Sequence, residues 1–406
     1  MMGVLSQGIG RMSGFVPSDI YAAGPADSNK TSALISPAKY IQGEGILDHL
    51  GEYLKVFDSK RVGVLASRRG HETQGLRVVD SLKKSGCVSV PSIFDGECCR
   101  EAINFHLKEL QSEGVDTLIS LGGGKCVDAG KCVASRLEVT SVIVPTLASN
   151  DAPCSAVSAL YTSSGVMDGV EFFPNSPSLV LVDTGVIAQA PARYLVAGMG
   201  DAMATWYESR VCMKNPKGTT ILGARPTLAA SAMGELCSKI LFEEGEQALA
   251  ATKRSEVNFS LEKVVEANTL LSGVGFESGG LAGAHGFAHG YTHVPIVEDR
   301  YLHGEMVSMG VQAQLMMEKD VGEADRVANF FARVGLPVCL SQMSLSKFDK
   351  AALNSVVEGA LGYQAFRNFP FDVTAEKLRK AIIDADELGR EVVRMKGDRA
   401  YKYLHD

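Results

Sequence analysis

Thr117-Leu118-Ile119-Ser120-Leu121-Gly122-Gly123-Gly124-Lys125-Cys126-Val127-Asp128 decides how this chain folds. The run 117–121 reads as a buried strand, three glycines stop it, and helical periodicity takes over across 126–136. Glycine lets backbone amides approach a ligand, and the helix N-terminus that follows adds a positive dipole end, which together suit a diphosphate. Lys125 can add a charge contact or a hydrogen-bond donor. The spacing is neither the dinucleotide fingerprint with glycines at first, third and sixth positions nor a P-loop. A glycine turn alone is more often a tight connection than a cofactor site, so its neighbours matter.

Outward from that turn the pattern repeats. Residues 61–66 and 88–94 read as strands, 75–84 and 100–113 as helices, 140–144 as another strand and 178–182 as a late one. Strands alternating with helices predict a parallel sheet covered on both faces, an α/β nucleotide-binding domain. Pro145-Thr146-Leu147-Ala148-Ser149-Asn150-Asp151-Ala152-Pro153 follows a strand, so it should lie at the same carboxyl edge, where open α/β sheets bind ligands. Long helical patterns follow at 201–212, 227–244, 260–274, 305–318, 323–334 and 375–385. The expected plan is a tail over 1–34, a dinucleotide-binding α/β domain over 35–190 and an all-α, metal-binding domain over 191–406. No internal repeat or low-complexity region stands out.

At 406 residues the chain is too long for one compact core, which also favours two domains. The net charge of −7 disfavours nucleic acid as a partner, and no apolar run approaches the length of a membrane span. Nine scattered cysteines without a Cys-x-x-Cys pair read as reduced thiols of a cytoplasmic protein. The first 34 residues carry neither a secretory nor a transit pattern and are expected to be a tail without function.

Four of the eight histidines, His285, His289, His293 and His303, fall within nineteen residues. Small neighbours around the first two let backbone approach closely and leave coordination positions uncrowded, which suits a metal ion. Satisfied histidines within a helix are the competing reading, since a spacing of four puts His285 and His289 on one helix face. Asp201 follows Gly198-Met199-Gly200 and reads as a residue at a glycine-rich start of a helix, either a ligand or a capping aspartate.

Six motifs, in order, resemble the glycerol dehydrogenase branch of the iron-containing alcohol dehydrogenase superfamily. They are Ile35 to Gly43, Gly122 to Lys125 with Asp128, Pro145 to Asp151, Gly198 to Ala202, Gly275 to Gly280, and His303-Gly304-Glu305. The resemblance implies a nucleotide-binding domain, an all-helical domain and an active site in the cleft between them. It implies one zinc ion bound by Asp201, His285 and His303. It implies NAD approached by Gly122, Gly123, Gly124, Lys125 and Asp128, with Thr146, Ser149, Val157 and Tyr161 on the nicotinamide side. Asp151 is then the catalytic and substrate-binding carboxylate, Phe276 an apolar wall, and the assembly a homo-oligomer, commonly an octamer. Asp128 can also be read as an acid in the first turn of a helix.

Two departures refine this. Iron-dependent members generally carry a further histidine four residues after the aspartate; here Thr205 stands there, which favours a three-ligand zinc site. The second histidine of the cluster, His289, follows the first by four residues rather than three, and hydrogen bonding within the helix is its first-ranked role. The implied reaction is reversible NAD-dependent oxidation of glycerol, or a related vicinal diol, to dihydroxyacetone. A dehydroquinate synthase-like lyase and a glycerol-1-phosphate dehydrogenase are rivals that call for a phosphate pocket, and only Arg300 lies near the histidines in sequence. A nucleotide- or metal-binding protein without catalysis is the non-enzymatic rival. Ser67 stands where NAD-specific relatives place an acid, and Arg68 and Arg69 follow it, so NADP is a possible second cofactor.

Overall fold

The structure, a computed structural model, describes residues 14–22 and 31–405; most of the expected tail therefore lies outside the described residues. What is described of it has structure. Pro17–Tyr21 forms a short helix, and Thr31 accepts a hydrogen bond from the Arg225 amide. The chain divides into two compact units. Among the described residues, one holds 14–17, 35–147 and 152–187, the other 18–22, 31–34, 148–151 and 188–405.

The first unit is built on a sheet of six parallel strands. In chain order the unit's strands are β1 (Tyr40–Gly43), β2 (Arg61–Ser67), β3 (Val88–Phe94), β4 (Thr117–Gly122), β5 (Thr140–Pro145), β6 (Val157–Tyr161), β7 (Met167–Phe172) and β8 (Leu179–Asp183). Across the sheet the order is β1-β8-β5-β4-β2-β3, with β6 and β7 forming a separate antiparallel hairpin. Every residue of β4 is buried, as expected of a strand covered on both faces. Leu65 and Leu118 face one apolar cluster, while Val64 and Ile119 face the other, so alternation along each strand feeds two layers. Pro91, which lacks an amide to donate, sits on the edge strand β3.

The second unit is helical. Ala192–Lys214 runs through its interior: every residue from Leu195 to Thr205 is buried, so the helix shows little sidedness. The segment expected as one helix over 260–274 instead runs from Phe259 to Gly279, with a wide π-turn at Ala267–Leu271. That turn carries Asn268, whose amide donates to Ala148 O (3.0 Å) and Leu195 O (3.1 Å). Side-chain caps fix where several helices begin: Thr227 accepts from the Ala230 amide and Asn258 from the Leu261 amide. Among the described residues, no helix is long and apolar enough to cross a membrane.

Candidate active site

Asp201 is the tenth residue of Ala192–Lys214, not a residue at the start of a helix. The expectation that a helix begins at Asp201 is thus corrected, the competing reading as a capping aspartate falls with it, and the glycines before it do different work. A Cβ on Gly200 would lie 2.3 Å from the Gly304 carbonyl oxygen, and one on Gly304 would lie 1.8 Å from Ala197 O. Two helices cross there with backbones touching, a packing only glycine permits. The crossing sets His303, first residue of His303–Met317, beside Asp201. His285 comes from a third helix, Ala284–Tyr291, with its ring centroid 5.5 Å from that of His303.

Asp201 Oδ1 lies 3.4 Å from His285 Nε2 and 3.4 Å from His303 Nε2, and makes no hydrogen bond. Its other oxygen accepts the Asp151 amide at 3.2 Å. Burial alone would raise the Asp201 pKa, but His303 and His285 hold it below the ordinary carboxylate value. The three candidate ligand atoms lie within 4.8 Å of one another. Ligands about 2.05 Å from a tetrahedral zinc ion stand about 3.3 Å apart, so the Asp201–imidazole separations fit such an ion. Thr205 cannot add a fourth ligand: its hydroxyl pairs with Ser272 Oγ at 3.0 Å, and its methyl already fills the space beside Gly275.

A residue the sequence reading missed completes this cluster. Glu208, fully buried, stands seven residues after Asp201 on the same helix, about two turns away. Its carboxylate accepts hydrogen bonds from the Ala282 amide (2.8 Å), the His285 amide (3.0 Å) and His285 Nδ1 (2.6 Å). Burial opposes a charge on His285, but Glu208 and Asp201 outweigh it and carry its pKa well above the usual histidine value. The spacing from Asp201 was the available signal. His289 does not join the group. Its ring packs edge-on against His293 (5.2 Å) and near Tyr363 (5.6 Å), burial lowers its pKa, and its carbonyl accepts a hydrogen bond from Thr292 Oγ1 at 2.7 Å. Phe276 is buried in Ser272–Gly279, which packs against Ala192–Lys214.

The glycine turn lies in the α/β unit. Gly122 ends β4, Gly123 precedes the Gly124–Leu137 helix, and the Thr146 amide donates to Gly122 O (3.0 Å). Lys125 Nζ pairs with Glu97 and lies 5.8 Å from the centre of the Tyr161 ring. Asp128 is turned inward: its carboxylate meets Lys131 Nζ at 2.9 Å and accepts the Ala159 amide at 3.2 Å, tying the helix to the β6–β7 hairpin. Its side chain is thus engaged within the fold rather than presented to a ribose, and its pKa is raised by burial. Val157 and Tyr161 are half-buried at the two ends of β6, and Ser149 is half-buried in the loop that reaches Asp151. At the end of β2, Ser67 accepts the Gly70 amide (3.1 Å), capping Arg68–Thr73. Arg68 is paired with Asp95 at 2.7 Å, whereas Arg69 makes no ion pair among the described residues.

Comparison with known proteins agrees with the fold. The profile of the iron-containing alcohol dehydrogenase family matches residues 37–184. A glycerol dehydrogenase of Escherichia coli O6:H1 is 41% identical over 357 residues, covering 87% of this chain and 96% of the relative. A glycerol dehydrogenase of Thermotoga maritima is 41% identical over 361 residues, covering 88% and 97%. The crystal structure of glycerol dehydrogenase from Schizosaccharomyces pombe superposes with a TM-score of 0.86 at 30% identity, covering 91% of this chain and 93% of that one.

Proposed function

The chain belongs to the iron-containing alcohol dehydrogenase family, and from that premise we propose that it catalyses the reversible oxidation of glycerol to dihydroxyacetone with NAD⁺, assisted by one zinc ion. The observation that carries the reading is Asp201 Oδ1, buried without a hydrogen bond and equidistant at 3.4 Å from two imidazole nitrogens. Asp201, His285 and His303 would hold the ion, and three protein ligands leave a position open to substrate. Zinc rather than iron is favoured by the mixed N/O set and by Thr205 in place of a further histidine.

When bound, zinc supplies positive charge that lowers the pKa of a substrate hydroxyl, and NAD⁺ supplies the hydride acceptor. The chain's own groups do the positioning. The amides of Gly122, Gly123 and Gly124, at the start of a 14-residue helix, suit the NAD diphosphate. Lys125 is available there once it exchanges Glu97 for a phosphate. Thr146, Ser149, Val157 and Tyr161 are assigned to the nicotinamide side, and Asp128 holds the hairpin that carries the last two. Asp151, fastened to Asp201 through its amide, orients a neighbouring hydroxyl, and Phe276 provides an apolar wall. A small polyol is the substrate class. A cytoplasmic homo-oligomer is the setting that nine unpaired cysteines and the family together favour.

The test is NADH formation from glycerol and NAD⁺, with and without a chelator. Activity should vanish on chelation and return with added zinc. Full turnover by metal-free protein refutes the metal assignment, and absence of glycerol-dependent NADH formation by zinc-loaded protein refutes the substrate.

A further inference from the structure

We propose that Glu208 is a positioning residue of the metal centre, fixing His285 in the tautomer with its proton on Nδ1 and thereby presenting bare Nε2 toward Asp201 and His303. The inference rests on the metal reading above and names a residue outside the ligand set.

Three observations carry it. The first is direction. An ionised carboxylate only accepts hydrogen bonds, so the 2.6 Å contact between Glu208 and His285 Nδ1 requires a proton on Nδ1. In a neutral imidazole the other nitrogen then holds a lone pair, which is the form a metal needs. Nε2 is the atom that lies 3.4 Å from Asp201 Oδ1. The second is fixation. The same carboxylate also accepts the amides of Ala282 and His285, so it anchors the loop and the first turn that carry the ring as well as the ring itself. The third is charge. Glu208 and Asp201 are both buried, and neither pairs with a lysine or arginine among the described residues. Once both imidazoles are neutral, as metal ligation requires, the two buried carboxylates need another positive partner. A divalent cation between the ligands balances both.

Glutamine at this position cannot do the same work. Three N–H donors converge on the two carboxylate oxygens, and an amide offers one oxygen. If its oxygen stays on the two backbone amides, its NH₂ faces Nδ1 and drives the proton to Nε2, the atom meant for the metal. If it flips, two backbone donors meet an NH₂ and the helix start shifts.

The experiment measures zinc dissociation by chelator competition and the visible spectrum of the cobalt-substituted protein, for wild type and Glu208→Gln. Weakening by about 10- to 100-fold, the range for outer partners of metal-bound histidines, is expected, together with an altered cobalt spectrum. In a His285→Ala background the same substitution should change zinc affinity little, because the residue through which Glu208 acts is gone. Equal loss in both backgrounds would mean a general structural effect and overturn the proposal, as would wild-type affinity and spectrum in Glu208→Gln. Should Glu208→Gln fail to fold, NMR of histidine-labelled, zinc-loaded wild type decides: an Nδ1–H on His285 supports the proposal and an Nε2–H overturns it. Failure of wild type to bind zinc at all removes the metal reading and this inference with it.

Discussion

Gly304→Ala should damage the metal centre far more than it damages the fold. The new Cβ would stand 1.8 Å from Ala197 O and 2.6 Å from the Ala197 carbonyl carbon. Carbon and oxygen settle at about 3.3 Å or beyond. The helices Ala192–Lys214 and His303–Met317 must therefore part locally by roughly 1.5 Å, and His303 moves with the second of them. Zinc sites tolerate ligand displacements of only about 0.2 Å. His303 Nε2 is thus carried out of range, and zinc binding should weaken by about 100-fold or more, at least the loss seen when an outer partner is removed. Overpacking of a tight contact costs about 1–3 kcal/mol, and a folded protein holds about 5–15 kcal/mol, so the variant should remain folded. Gly322→Ala is the control: nothing lies within 4 Å of its would-be Cβ in an exposed helix turn, and it should be neutral or mildly stabilising. Zinc competition, thermal melting and glycerol oxidation are read side by side. Wild-type zinc affinity and turnover in Gly304→Ala would refute the reasoning that this helix crossing builds the site.

His285→Ala should abolish glycerol oxidation and weaken zinc binding sharply to what Asp201 and His303 alone can hold, while circular dichroism stays that of the wild type; retained activity counts against the ligand set. Asp151→Asn should lower kcat/KM for glycerol by roughly tenfold or more, through loss of a charge-assisted hydrogen bond, and an unchanged value removes Asp151 from substrate orientation. Ser67→Asp should raise preference for NAD over NADP without loss of stability, since aspartate caps the Arg68–Thr73 helix as well as serine does. Strong rejection of NADP by the wild type, unchanged in the variant, excludes this position as the discriminator. His106 is buried and hydrogen-bonded to Ser92, and burial lowers its pKa below 6.5 despite the nearby Glu109. The unfolded chain then takes up a proton that the native state refuses, so stability present above pH 6.5 is lost as pH falls, by up to about 1.4 kcal/mol per pH unit. His106→Gln should flatten that part of the melting-temperature profile; identical acid slopes in both proteins would assign the loss to other groups.

The parallel sheet was legible because its inner strands are continuous apolar runs closed by glycine or proline, as at Leu118 to Gly122 and Val142 to Pro145. Tyr40–Gly43 escaped notice because it is four residues long and half-exposed throughout, with no run to read. The β6–β7 hairpin mixes Ser158, Asp168 and Glu171 into its strands, and Glu171 is buried only because Arg136 answers it from a distant helix. Periodicity cannot report such a partner. Gly198 and Gly200 misled for a physical reason: glycine weakens helices, so two of them read as a helix boundary, whereas both mark close approach by another backbone. The metal triad was assigned from the resemblance, since nothing in the local spacing of His285, His289, His293 and His303 says which rings converge. Glu208 offered only its seven-residue spacing from Asp201, because its role exists only once Ala284–Tyr291 has docked beside it.

The division of the chain into units bears on how this architecture can be inherited. The backbone changes unit after Pro17, Leu34, Leu147, Asp151 and Ile187. The excursion Ala148–Asp151 is brief, yet it carries the amide that holds Asp201 and the carbonyl that receives Asn268. A gene segment encoding only the residues after Ile187 would therefore encode a helical body stripped of the loop that trims its own reactive centre. A crossover after Ile187 that joined this body to a foreign first half would sever Ala148–Asp151 from the residues it contacts.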